Sequence, residues 1–144
     1  MIIMNRIEQI DAQTELDKLI AGFFSVFDNR NGATPELDAL LGYFAEKAVI
    51  ARSSGLDIQL YTPMEFALPR IELLTGGSLV DFHEVETSST TKTFGGIAVR
   101  TSRYRKEGLL NGRPYVGAGT KSFQLVALGS GWRIASLAWG DDQK

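Results

Sequence analysis

The sequence predicts an α+β domain in which one curved, mostly antiparallel sheet wraps against a long helix. Three observations carry this reading. Apolar residues recur at helical spacing in the first third, long strand-like segments fill everything after Gly77, and the chain closes with two strands joined at Gly129-Ser130-Gly131. Helices first and a meander last is the order of an α+β fold.

The elements follow in order. Leu16, Leu19, Ile20, Phe23, Phe24 and Phe27 form an amphipathic helical stripe. Thr14, with Asp17 three residues on, is an imperfect N-cap for it, and the helix is expected to end near Asp28, before the polar run Asn29-Arg30-Asn31-Gly32. A shorter helix is expected next, capped by Thr34, with Pro35 at its first position and Leu37, Leu40, Leu41 and Phe44 on its apolar face. Val49 to Arg52 and Asp57 to Tyr61 read as short strands around Ser53-Ser54-Gly55. Thr62-Pro63-Met64-Glu65 is a cleaner helix start: cap, proline at the first position, glutamate at the third. That helix should reach Leu74 and stop at Gly76-Gly77, with a bend or break near Leu68 because Pro69 removes a backbone hydrogen bond.

Four long antiparallel strands are expected after Gly77: Ser78 to Ser89, Phe94 to Glu107, Tyr115 to Leu128 and Trp132 to Trp139, with a hairpin over Gly108 to Gly112. Strict alternation puts Trp132, Ile134 and Ala138 on one face of the last strand, and Ala135, Leu137 and Trp139 on the other. Helices of the same chain can cover one such face. The second then needs a partner, and a homodimer through the sheet is expected.

Composition narrows the function classes. The 144 residues suit one domain, residues 1–144, with a sizeable core, and 44% hydrophobic and 22% charged residues are ordinary for a globular protein. A net charge of -2 offers no general attraction to nucleic acid or to an anionic membrane. With no cysteine there is no disulfide, thiol nucleophile or thiolate metal site, and the single histidine, His83, cannot supply the paired imidazoles of most zinc sites. No cofactor or metal is expected. Met1 to Ile10 is too short and too soon charged for a secretory signal, so the cytoplasm is the expected compartment. Gly95-Gly96 and Gly117-x-Gly119 lie among strands rather than before a helix, which argues against a phosphate loop.

The segments Phe27-Asp28-Asn29-Arg30-Asn31-Gly32, Glu65-Phe66 with Pro69-Arg70, and Gln124-Leu125-Val126 leading into Gly131-Trp132-Arg133-Ile134-Ala135-Ser136-Leu137-Ala138-Trp139 resemble the small bacterial, SnoaL-like members of the nuclear-transport-factor-2-like superfamily. The resemblance spans nearly the whole chain. It implies a cystatin-like, cone-shaped sheet around the first helix, a pocket between them, and commonly a homodimer. The superfamily holds isomerases, dehydratases, cyclases, hydrolases, transport receptors and association domains, so the fold alone says little about chemistry.

Its catalytic members typically hold a carboxylate inside an apolar cone, where desolvation raises the pKa enough for acid–base work. The matching feature here is Phe82-His83-Glu84-Val85-Glu86. Glu84 and Glu86 share a parity with Val80 and Phe82, giving two candidate bases; the competing reading pairs them with Arg100, Arg103 and Arg105 on the next strand. His83 lies on the opposite parity and is a candidate only because imidazole titrates near neutrality. Arg100, Ser102 and Tyr104 share one strand face, where a cation and a phenol can hold an acidic or carbonyl-bearing ligand or can form an ion-paired edge. Phe24, Phe44 and Trp139 are candidate apolar lining, Asp28 a candidate acid at the pocket rim, and Gly117 and Gly119 leave room for a close approach. The functional expectation is binding of a small, largely apolar organic molecule in the cone, with cofactor-independent turnover as an isomerase, dehydratase or hydrolase left open. The alternative is a non-catalytic dimeric association module or a ligand carrier.

Overall fold

The structure, a computed structural model, describes residues 6–143, and the side chains of residues 11–143. Helix α1 spans Arg6–Ser25, a short 3₁₀ turn Arg30–Gly32, α2 Leu37–Leu41, β1 Phe44–Ser54, β2 Asp57–Tyr61, α3 Pro63–Thr75, β3 Leu79–Phe94, β4 Ile97–Leu110, β5 Arg113–Leu128 and β6 Gly131–Asp141. The strands form one six-stranded sheet in the order β2-β1-β6-β5-β4-β3. Every neighbouring pair is antiparallel except β1 with β6, which is parallel. The expected α+β architecture, a curved sheet with helices on its inner side, is therefore the observed one. Among the described residues, no helix is long and apolar enough to cross a membrane.

The core lies between α1 and the concave side of the sheet. Leu16, Ile20 and Phe23 are fully buried, and Phe24 and Phe27 nearly so. The Phe23 ring is central: it meets Phe24, Phe27, Phe44 and Phe123 edge-on at centroid separations of 5.4 to 5.9 Å. Edge-to-face packing of this kind adds to the area these rings bury.

Local signals were overridden at three places. Thr14 lies inside α1 rather than at its start, and Asp17 accepts from Gln13 and from Arg100 instead of closing a capping box. Thr34 and Pro35 precede α2, whose N-cap is Glu36 in extended conformation. Phe44, expected on that helix, instead opens β1 and pairs with Ile134, because Ile134 N–H donates to the Tyr43 carbonyl and ties this segment to β6. By contrast, α3 has the full reciprocal capping box between Thr62 and Glu65. It runs unbroken through Pro69; Glu65 is exposed, so water can take the carbonyl that a proline cannot serve.

Bulges correct the simple alternation. Asp81 and Phe82 together face Gly108, with Asp81 at φ 51°, so Val80 turns outward and is 37% exposed while Phe82 is buried. An extra residue at Ala135 shifts β6 relative to β5. Trp132 and Ile134 before it and Leu137 and Trp139 after it therefore all face inward, and both tryptophans belong to the concave side. The convex face of β6 carries Ser136, Ala138 and Gly140, which are small rather than greasy.

Candidate functional site

Where α3 crosses the concave sheet, the core opens into a cavity of about 370 Å³. Phe66, Arg70, Leu73 and Leu74 from α3 form one wall; Glu84, Lys106, Tyr115, Lys121 and Trp139 rise from β3 to β6, and Arg52 and Tyr61 come from β1 and β2. Register brings these side chains together. Glu84 lies opposite Lys106, Lys121 opposite Trp139, and Trp139 opposite Arg52. Aromatic and aliphatic side chains make up most of the lining, and charged groups converge among them, as in a small-molecule site.

The floor holds a buried ion pair. Lys121 Nζ approaches Glu84 Oε1 at 2.7 Å, and each side chain is only 8% exposed. The ammonium also sits 3.9 Å from the Tyr104 ring centroid and 5.6 Å from that of Trp139. Burial pushes the Lys121 amine below its ordinary value; Glu84 acts against that shift and Lys106 adds to it. At this separation Lys121 is, among the described residues, the one charged partner of Glu84 Oε1, which is otherwise buried without a hydrogen-bond donor.

Beside it lies a polar chain. The Tyr104 hydroxyl donates to Asp141 Oδ1, and Lys106 Nζ donates to Asp141 Oδ2 at 2.8 Å and to the Tyr115 hydroxyl at 3.3 Å. Burial opposes ionisation of Asp141, but the bonds from Lys106 and Tyr104 outweigh it and hold the carboxyl below its ordinary value. Burial, reinforced by the Asp141 charge, raises the Tyr104 phenol far above its own. Gly117 and Gly119 make this chain possible. A methyl at Gly119 would collide with the Tyr104 hydroxyl and the Gly140 carbonyl, and one at Gly117 would lie 3.0 Å from Lys106 Cε. The close approach read from these glycines is thus made by the protein's own side chains.

Of the sequence-predicted residues, Glu84 and Trp139 line the cavity, and Tyr104 lies beneath Lys121. Glu86, Arg100 and Ser102 form a separate network away from it. Arg100 donates to both Glu86 oxygens at 2.6 and 3.1 Å and to Asp17 at 2.6 Å, and Ser102 donates to Glu86 at 2.5 Å. The competing ion-pair reading describes this half of the motif. Phe24 and Phe44 are core residues that do not line the cavity. His83 is half-buried outside it, with no hydrogen-bond partner at Nδ1. Asp28 accepts from the Arg30 backbone and guanidinium at 2.8 to 3.0 Å, a turn carboxylate. That side-chain bond holds its carboxyl below the ordinary value.

Lys121, Lys106, Asp141, Arg70 and Arg52 were not anticipated. Parity offered a signal for the first: Lys121 shares the inward face of β5 with Phe123 and Leu125, and a lysine on an apolar parity is unusual.

The chain has the nuclear-transport-factor-2-like, cystatin-like fold. It is similar to a nuclear-transport-factor-2-like superfamily protein from Salmonella enterica serovar Typhimurium (TM-score 0.76, 13% identity, 94% of each chain covered). It is also similar to a nuclear-transport-factor-2-like protein with a cystatin-like fold from Novosphingobium aromaticivorans (TM-score 0.71, 15% identity, 94% of this chain and 85% of that one). A hexachlorocyclohexane dehydrochlorinase matches at TM-score 0.77 and 10% identity, over 96% of this chain and 90% of that one. No family model matches the sequence, and no curated protein is significantly similar to it.

Proposed function

We propose that the protein binds a small, largely apolar organic molecule in the cone and that Glu84 serves as the base of a cofactor-independent proton transfer on it. One observation carries this reading: a carboxylate–ammonium pair, each side chain 8% exposed, at the floor of an aromatic cavity. Such a pair is weak evidence of stabilisation, since burying two charges costs several kcal/mol that their attraction only partly returns. It suits proton abstraction: the proton leaving the ligand neutralises the Glu84 carboxylate, and the Lys121 ammonium beside it then faces the negative charge left on the ligand. A similar fold is used by the hexachlorocyclohexane dehydrochlorinase, which supports catalysis in a cone of this kind without assigning it.

Native mass spectrometry of protein purified from its own host tests occupancy and yields the retained compound. Incubating that compound with the protein in D₂O should place deuterium on its carbon skeleton, and Glu84→Gln should bind it without exchange. Binding without exchange by the unsubstituted protein would leave the carrier reading standing instead. Binding itself has an optical readout. Trp139 lines the cavity and Trp132 does not, so in Trp132→Phe the remaining indole emission should respond to ligand. Leu73→Trp in the unsubstituted protein should fill the cavity and abolish binding, read calorimetrically.

We further propose a homodimer through the convex sheet face. Val99, Gln124, Ser136 and Val49 lie in one row across β4, β5, β6 and β1, next to Thr101, Ser122, Ala138 and Ala51. Val49 and Val99 are 52% and 40% exposed, and the small residues between them leave the face flat enough to receive another sheet. Light scattering should give twice the chain mass, and Ala138→Arg should return it to a monomer.

A further inference from the structure

The cavity contains more positive than negative charge, and the excess sits at one place. Lys106 is matched by Asp141 and Lys121 by Glu84. Arg70 and Arg52, which line the same cavity, form no ion pair with any carboxylate among the described residues. Glu65 is the acidic neighbour that could have served, but its carboxylate is turned back onto the Thr62 backbone as the α3 cap.

Arg70 is held in a preformed position. Its guanidinium carbon lies 4.4 Å from the Phe66 ring centroid, 5.0 Å from Trp139 and 5.5 Å from Tyr61. Nη1 donates to the Phe66 carbonyl at 2.8 Å, which fixes the side chain against its own helix, and the Tyr61 hydroxyl is a further neutral partner. The rest of the donor fork has no carboxylate to meet. Burial depresses the guanidinium pKa, and the Arg52 charge depresses it further, so the two cations are close enough to repel. A half-buried guanidinium set among aromatic rings, crowded by a second one and without an anion, is a costly arrangement unless something completes it. The planar fork of arginine matches a carboxylate in two parallel hydrogen bonds, and the surrounding rings suit an aromatic body.

We infer that the ligand of the cone is an aromatic carboxylate, its anionic group taken by Arg70 with Arg52 and its ring lodged among Phe66, Trp139 and the apolar wall. This rests on the cone being a ligand site and deepens that reading by naming the class of ligand. It also assigns Arg70 and Arg52 a recognition role distinct from that of the Glu84–Lys121 pair.

The test uses two probes of matched shape, 2-naphthoate and its neutral amide 2-naphthamide, titrated calorimetrically into the unsubstituted protein, Arg70→Met and Leu73→Trp. The carboxylate should bind at least about 10-fold more tightly than the amide, in line with the strength of charge-assisted hydrogen bonds. Arg70→Met should bring the ratio near unity while leaving the amide's affinity within about 3-fold, which a variant that merely unfolded could not do. Arg52→Gln should lower the ratio partway. Equal affinities of both probes for the unsubstituted protein, or a preference that survives Arg70→Met, would overturn the anion assignment and leave the cone as a ligand site. Binding of neither probe, or binding unaffected by Leu73→Trp, would overturn the cone reading along with it.

Discussion

Burial works to remove the positive charge of Lys121, while Glu84, with the more distant Asp141 charge and the Tyr104 ring, works to keep it. Truncating one member of such a pair strands the other in a nearly dry cavity, whereas replacing both with neutral side chains of similar volume removes the desolvation cost altogether. We expect Lys121→Met alone to lower stability by about 3 kcal/mol, and Glu84→Gln/Lys121→Met to recover that loss or exceed the parent in urea denaturation. A double variant no better than its singles would show that the pair contributes net stability. Gly119 is the second residue with a sharp consequence. Its missing side chain is the space through which the Tyr104 hydroxyl reaches Asp141. Gly119→Ala should cost at least about 2 kcal/mol by overpacking, readable as a lowered denaturation midpoint.

Among the elements, α3 shows how a local signal survives into the fold. Thr62 accepts from the Glu65 amide at 3.1 Å while Glu65 accepts from the Thr62 amide at 2.9 Å, both within a four-residue motif. Thr62→Ala should destabilise the protein by about 1 kcal/mol. It should also free Glu65, whose carboxyl is held below its ordinary value by the bond to the Thr62 backbone. The sheet shows the opposite case. β2 matched its predicted bounds, and the long strands were legible from their composition, but the faces of β3 and β6 were not, because one extra residue inverts everything beyond it. Asp81 and Ala135 look unexceptional in sequence; their bulges are set by partners on β4 and β5 that lie far along the chain. For the same reason Glu84 could be proposed as a pocket residue, whereas its partner Lys121, 37 positions later by residue number, could not be attached to it. Strand pairing, not composition, brings them together.

At the level of the whole molecule, acid stability should be governed by carboxylates whose folded pKa is depressed. Asp28 is held down by Arg30, Asp141 by Lys106 and Tyr104 against its burial, and Asp142 by Arg103. A depressed carboxylate contributes stability above the unfolded-state value of about 3.9, and that contribution is lost as pH falls through the folded value. Stability should therefore be flat toward neutrality and decline below about pH 4. Asp141→Asn should decline less steeply there than the parent in pH-dependent thermal melts; parallel curves would mean that Asp141 does not contribute to the acid limb.

The placement of β6 has a temporal consequence. It is the last strand in sequence order among the described residues, yet it lies between β1 and β5 and joins the β1–β2 hairpin to the rest of the sheet. While the polypeptide emerges from the ribosome, its two flanks must wait side by side with open edges until residues 131–141 arrive to bridge them. Cooperative folding should thus begin only after synthesis has passed Asp141, and a message truncated upstream would yield two unjoined half-sheets exposed to aggregation.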